Sequence, residues 1–153
     1  MFLLLAALTL EPATLAIASM RTDRDPQSGG TPLTVVVRNI GTQPIRLWTP
    51  NSVEGMRCVK VWLEAKGKKP VEFKPTIPPR AAGVPTAVPL APKGKLQLAP
   101  IDLAECVEAG FAPGRYRLWV EYVNQVAEDG PAKGVWTGSI RSRTISVQIG
   151  ARN

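Results

Sequence analysis

Pro113-Gly114-Arg115-Tyr116-Arg117-Leu118-Trp119-Val120-Glu121-Tyr122 decides the fold. A Pro-Gly turn runs directly into a segment of strict period two. Tyr116, Leu118, Val120 and Tyr122 share one parity; Arg115, Arg117, Trp119 and Glu121 share the other. Side chains alternate between the two faces of a strand, so this is an antiparallel strand with one apolar and one wet face. Working outward, Leu33, Val35 and Val37 mark a second strand within Thr31 to Asn39. Ile45 to Trp48 reads as its short partner across a tight turn. Cys58 to Ala65 alternates again, with Val59, Val61, Leu63 and Ala65 as the apolar set, and Val71 to Lys74 as its hairpin mate. Leu96 to Leu103 reads as one further strand. Ala104 to Gly110 has room for one helical turn.

Proline sets limits on the middle of the chain. Pro70, Pro75, Pro78, Pro79, Pro85, Pro89, Pro92 and Pro100 cannot donate to a ladder, so this stretch reads as edge structure and extended loop, above all from Ile77 to Ala91. Near the C-terminus parity itself predicts a break. Ile145, Val147 and Ile149 share a face, and running that parity backward would bury Arg143 and Arg141. Two buried unpaired arginines are too costly, so a bulge or break is expected between Ile140 and Thr144. No segment shows a convincing amphipathic helix. The sum is an all-β chain, an Ig-like antiparallel β-sandwich of about seven to eight strands, spanning residues 14–149.

The chain has 153 residues, a single-domain length, and its 13 Gly and 15 Pro fit many short strands and turns. Nineteen Lys and Arg against 12 Asp and Glu leave a net charge of +7. The cations Lys66, Lys68 and Lys69, Arg115 and Arg117, and Arg141 and Arg143 form no dense run. No recognition helix or RNA-type aromatic motif accompanies them, so no nucleic-acid partner is expected and solubility explains the charge.

Residues 1–10 are almost pure hydrocarbon. A bilayer span takes ~20 such residues, so no stable membrane span is expected. The segment matches the apolar core of an export signal, although no positive charge precedes it, and Ala16-Ile17-Ala18 has the form of a cleavage site. The competing reading makes Thr14 to Met20 the first strand, with Leu15 and Ile17 inward and residues 1–10 as a clipped signal. Both readings place the protein outside the cytoplasm, in the periplasm, secreted or at the cell surface. A buried apolar strand in a cytosolic protein is the plainer alternative. Cys58 and Cys106 are the 2 cysteines. They allow either a disulfide or two independent thiols, and export favours the disulfide.

Some residues resemble a known family. Leu33-Thr34-Val35-Val36-Val37-Arg38-Asn39, with Gly41 and Pro44-Ile45 after it, resembles the second strand of bacterial extracytoplasmic Ig-like domains. Phe111-Ala112-Pro113-Gly114-Arg115-Tyr116 is similar to their entry into strand F, and Trp136-x-Gly138-x-Ile140-x-Ser142 looks like the approach to their last strand. A weaker likeness exists to the bacterial intracellular proteinase inhibitor family, with no inhibitory residue to carry over. The resemblance implies a fold and a binding or structural module, not a reaction.

The sequence has 0 histidines, which removes Ser-His-Asp, Cys-His and His-ligated metal chemistry. Asp102, Glu105 and Glu108, and Glu128 and Asp129, read as solvated acids. Asp23-x-Asp25 is only a fragment of a calcium loop. No catalytic residue, metal site or cofactor is therefore expected, and the protein is read as no enzyme. Tyr116 is expected to be a corner tyrosine bonding nearby backbone. Trp62 and Trp119 fall on the wet parity of their strands, with Arg117 beside them. Outward tryptophans offer a rigid apolar surface for a protein or polysaccharide partner, unless a loop folds over them. The loop around Arg80 has the stiffness of a protease-inhibitory loop. The expectations for function are an exported binding or structural module first, then an inhibitor or a carbohydrate-binding module.

Overall fold

A computed structural model of the chain describes residues 14–23, 31–79, 85–125 and 134–150. The expected all-β architecture is what the chain adopts. Eleven strand segments and two short helices occupy the described residues. The first sheet joins β1 (Leu15–Thr22), β2 (Pro32–Asn39), β7 (Lys95–Gln97) and β8 (Ile101–Asp102), with β1 on one side of β2 and the last two on the other. The second joins β4 (Val59–Ala65), β5 (Val71–Phe73), β9 (Gly114–Asn124), β10 (Gly138–Arg141) and β11 (Ile145–Ile149). All these pairings are antiparallel. Leu33, Val35 and Val37 from one sheet share a single buried cluster with Val61, Leu63, Leu118, Val120 and Tyr122 from the other. Each strand is amphipathic with period two, so two stacked sheets hide both apolar faces at once.

The predicted break is present. Arg141 pairs with Glu121, and Ile145 pairs with Leu118. Three residues thus face two on β9, a bulge that resets parity. Buried Ser142 fills the gap: its Oγ accepts the Val120 amide at 2.9 Å and donates to the Arg143 carbonyl at 2.7 Å. Arg141 and Arg143 stay exposed. A second irregularity, between Ile17 and Ser19, turns Met20 inward opposite Val35. Alternation from Leu15 alone would have put Ser19 in the core.

Two strand expectations are corrected, and one helix adds to the expected elements. Ile45–Trp48 (β3) does not pair with β2; it pairs with β6 (Ala87–Leu90), inside the proline-rich segment. The cause is Asn39 at the end of β2, whose buried amide group ties down the following turn and Leu90, so the chain leaves the first sheet. Pro89 is tolerated because β6 lies at the edge of a two-stranded sheet. The strand expected from Leu96 to Leu103 is two short pieces, because Pro100 has no amide to donate. Finally, Val53–Arg57 forms a helix, α1, that strand periodicity does not reveal. Its signal is local: Ser52 Oγ accepts the Gly55 amide at 3.0 Å as an N-cap, with Glu54 in the first turn. Gly55 is required there, since a Cβ would run into the Thr49 carbonyl oxygen. The expected turn after Leu103 is α2 (Glu105–Glu108).

Candidate functional site

The outer face of the second sheet gathers Trp62, Trp119 and Arg117, the three residues that sequence reading singled out as a binding surface. β4 and β9 run side by side in register, pairing Lys60 with Glu121, Trp62 with Trp119 and Glu64 with Arg117. Directly opposed residues share a face with Cβ atoms ~4.5–5.5 Å apart, so the two tryptophans must meet. Their rings lie nearly parallel, at 13°, with centroids 6.4 Å apart. The Arg141 guanidinium, delivered by β10, sits 4.3 Å over the Trp119 ring. Trp62 Nε1 donates to Glu121 Oε2 at 3.1 Å. Arg117 Nη1 meets Glu64 Oε2 at 2.9 Å.

The result is a ladder of cation, ring and ring across three strands, bordered by an ion pair. Burial divides it. Trp119 is only 7% exposed although its parity is outward. The Arg141 guanidinium covers one face of its ring. Trp62 is half-buried, and the Arg117 side chain is 67% exposed. One face of Trp119 is taken by Arg141 and it stacks against Trp62 on the same sheet surface. A sugar-stacking platform needs a free ring face, so Trp119 does not provide one.

The expected disulfide is absent: Cys58 and Cys106 are both free thiols and both buried. Strand parity gave Cys58 an outward direction, but Cys58 precedes β4. It caps α1 with helical backbone and belongs to the core cluster. Burial pushes its thiol up to about 11, despite a lowering contact with the Tyr122 hydroxyl. Cys106 lies on α2, and burial, with Glu105 and Asp102 nearby, pushes it to about 12. Thiols held this firmly protonated are poor nucleophiles.

A small cleft is lined by Met56, Val59, Ile77 and Ile101 together with Asp102 and Glu105. Its volume of about 60 Å³ is far below the ~300–1,000 Å³ of small-molecule pockets. Both carboxylates hold backbone: Asp102 Oδ1 accepts the Ala104 amide at 2.9 Å, and Glu105 Oε2 accepts the Thr76 amide at 2.9 Å. Tyr116 is the corner tyrosine expected, its hydroxyl donating to the Ala112 carbonyl at 2.7 Å. Among the described residues no cluster of three His, Cys, Asp or Glu is placed to hold a metal, and no helix is long and apolar enough to cross a membrane. Residues 1–10, Asp25, the Arg80 loop and the Glu128-Asp129 pair lie outside the described residues. No protein-family model matches the chain. No curated protein matches it either.

Proposed function

We propose that this chain is a non-catalytic, extracytoplasmic Ig-like module that binds a protein partner through the outer face of the β4–β9 sheet. One observation carries the reading: the Trp62–Trp119 stack, backed by Arg141 and bordered by the exposed Arg117. Aromatic and arginine side chains held rigid on a flat surface lose little entropy on binding and dominate protein interfaces. The polysaccharide alternative is weaker because Trp119 has no free face. Non-catalysis is supported by the absence of histidine and by the commitment of Asp102 and Glu105 to backbone amides. Export is supported by the apolar residues 1–10.

A photo-crosslinking amino acid placed at Arg117, in the full chain expressed in its source cell, tests this. A discrete adduct in the envelope fraction is expected, with none from the same group placed at exposed Arg21 on β1 of the opposite sheet. Trp62→Ala should reduce the adduct about tenfold, equivalent to ~1.4 kcal/mol of binding, while the chain stays folded. Equal labelling from both positions, or adducts confined to the cytosol, would overturn the assignment.

A further inference from the structure

The outer face of the first sheet holds a feature that the tryptophan ladder does not involve. Along β2 the core takes Leu33, Val35, Val37 and Asn39, leaving Thr34, Val36 and Arg38 on the other face. Register sets Arg38 directly opposite Lys95 of β7 and, on its other flank, opposite Ala16 of β1. Like charges in direct cross-strand opposition repel, and Ala16 brings no compensating charge. The turn before β7 adds a third cation. Lys93 stands in left-handed backbone, with φ of 65°, a region few non-glycine residues adopt. It is held there because its amide donates to the Asn39 carbonyl at 2.9 Å and the next carbonyl, of Gly94, accepts the Asn39 amide at 3.0 Å.

Nothing among the described residues neutralises this group. The ion pairs are Arg21 with Asp23 and Arg117 with Glu64, neither of which includes Arg38, Lys93 or Lys95. Arg38 Nε is itself buried and has no hydrogen-bond partner. A desolvated, unpaired N–H on a cation is among the more expensive defects a fold can carry, and an opposed lysine adds to it. An oxyanion bound between the two cations offsets their repulsion.

We propose that Arg38 and Lys95, with Lys93 at the rim, form an oxyanion-binding site for the phosphate or carboxylate groups of an anionic ligand. Arginine carries a planar fork of N–H donors that matches carboxylate and phosphate oxygens, and Arg38 stands on the outer face of β2, only partly buried as a residue. Lys95 adds a point charge from the adjacent strand. The two lysines are exposed, so the site opens outward and suits a group projecting from a larger anionic chain as well as the free ion. The site lies on the opposite sheet from the proposed protein-binding face and stands independently of it.

The test follows the Arg38 Nε–H resonance in the full chain during titration with inorganic phosphate, polyphosphate and polygalacturonate. A saturating shift at Arg38, with a matching rise in Tm, is expected for at least one of them. Tighter saturation by a polymer than by phosphate assigns the site to a polyanion, and the reverse assigns it to the free ion. Lys95→Glu, on an exposed edge strand, should weaken binding by about tenfold or more by replacing the second cation with a competing carboxylate. Replacing Lys66, Lys68 and Lys69 together by Gln should leave the Arg38 response unchanged. A shift that never saturates and is shared equally by Arg115 and Arg141, or undiminished binding by a folded Lys95→Glu chain, would overturn the proposal.

Discussion

Asn39 is fully buried, and its side chain makes three hydrogen bonds. Nδ2 donates to the Gln43 carbonyl at 2.8 Å and the Leu90 carbonyl at 3.0 Å, while Oδ1 accepts the Gly41 amide at 2.9 Å. One side chain thus shapes the exit from β2 and fastens β6 to it. Asn39→Ala strands these backbone groups in the interior, and we expect a loss of about 2–3 kcal/mol in urea unfolding. The chain's Arg-Asn ending to β2 was visible in the sequence. What Asn39 does was not, because Leu90 is distant in sequence and only folding brings its carbonyl near. Cys58 teaches the same lesson. Its identity is plain in the sequence, but its inward direction comes from the helix it caps.

β9 organises its sheet by pairing with β4 on one side and with β10 and β11 on the other. Two flanking strands on the same side are possible because the Ser142 bulge separates them. That interruption was legible, since the alternation on either side of it disagrees and arginine cannot absorb the difference. That a serine would complete the ladder was not legible. Ser142→Ala leaves the Val120 amide without its side-chain acceptor, and a loss of about 1–2 kcal/mol is expected by the same unfolding measurement. Helix α1 escaped strand analysis because a single turn shows no periodicity. Its N-cap was the usable signal, as a serine followed by a glutamate in the first turn. The β3–β6 pairing escaped for another reason. Proline marked that stretch as edge structure or loop, which admits β6, but it carries no information on which strand such an edge pairs with.

At the scale of the molecule, the buried thiols make stability depend on alkaline pH. Cys58 and Cys106 are raised from 9.0 to about 11 and about 12. As pH climbs past 9 the unfolded chain therefore gives up these protons before the folded one does. Stability is fully present below about pH 9 and declines as pH rises toward the folded values. Burial also raises the Tyr122 hydroxyl, in the same direction. We expect Tm to fall between about pH 8 and about pH 11, and a chain with both cysteines changed to alanine to fall less steeply. Alternation along single strands was enough to determine that this chain is all-β, that Leu33, Val35, Val37, Val61, Leu63, Leu118, Val120 and Tyr122 lie in its core and that Trp62 and Trp119 face outward, because period-two burial is a local property of extended backbone. Only the tertiary structure decided that the two rings stack with Arg141 over Trp119, that Arg38 stands opposite Lys95, and that the two thiols lie unbonded within the core. Those facts depend on register and on which strands become neighbours, and both are set by contacts between residues far apart along the chain.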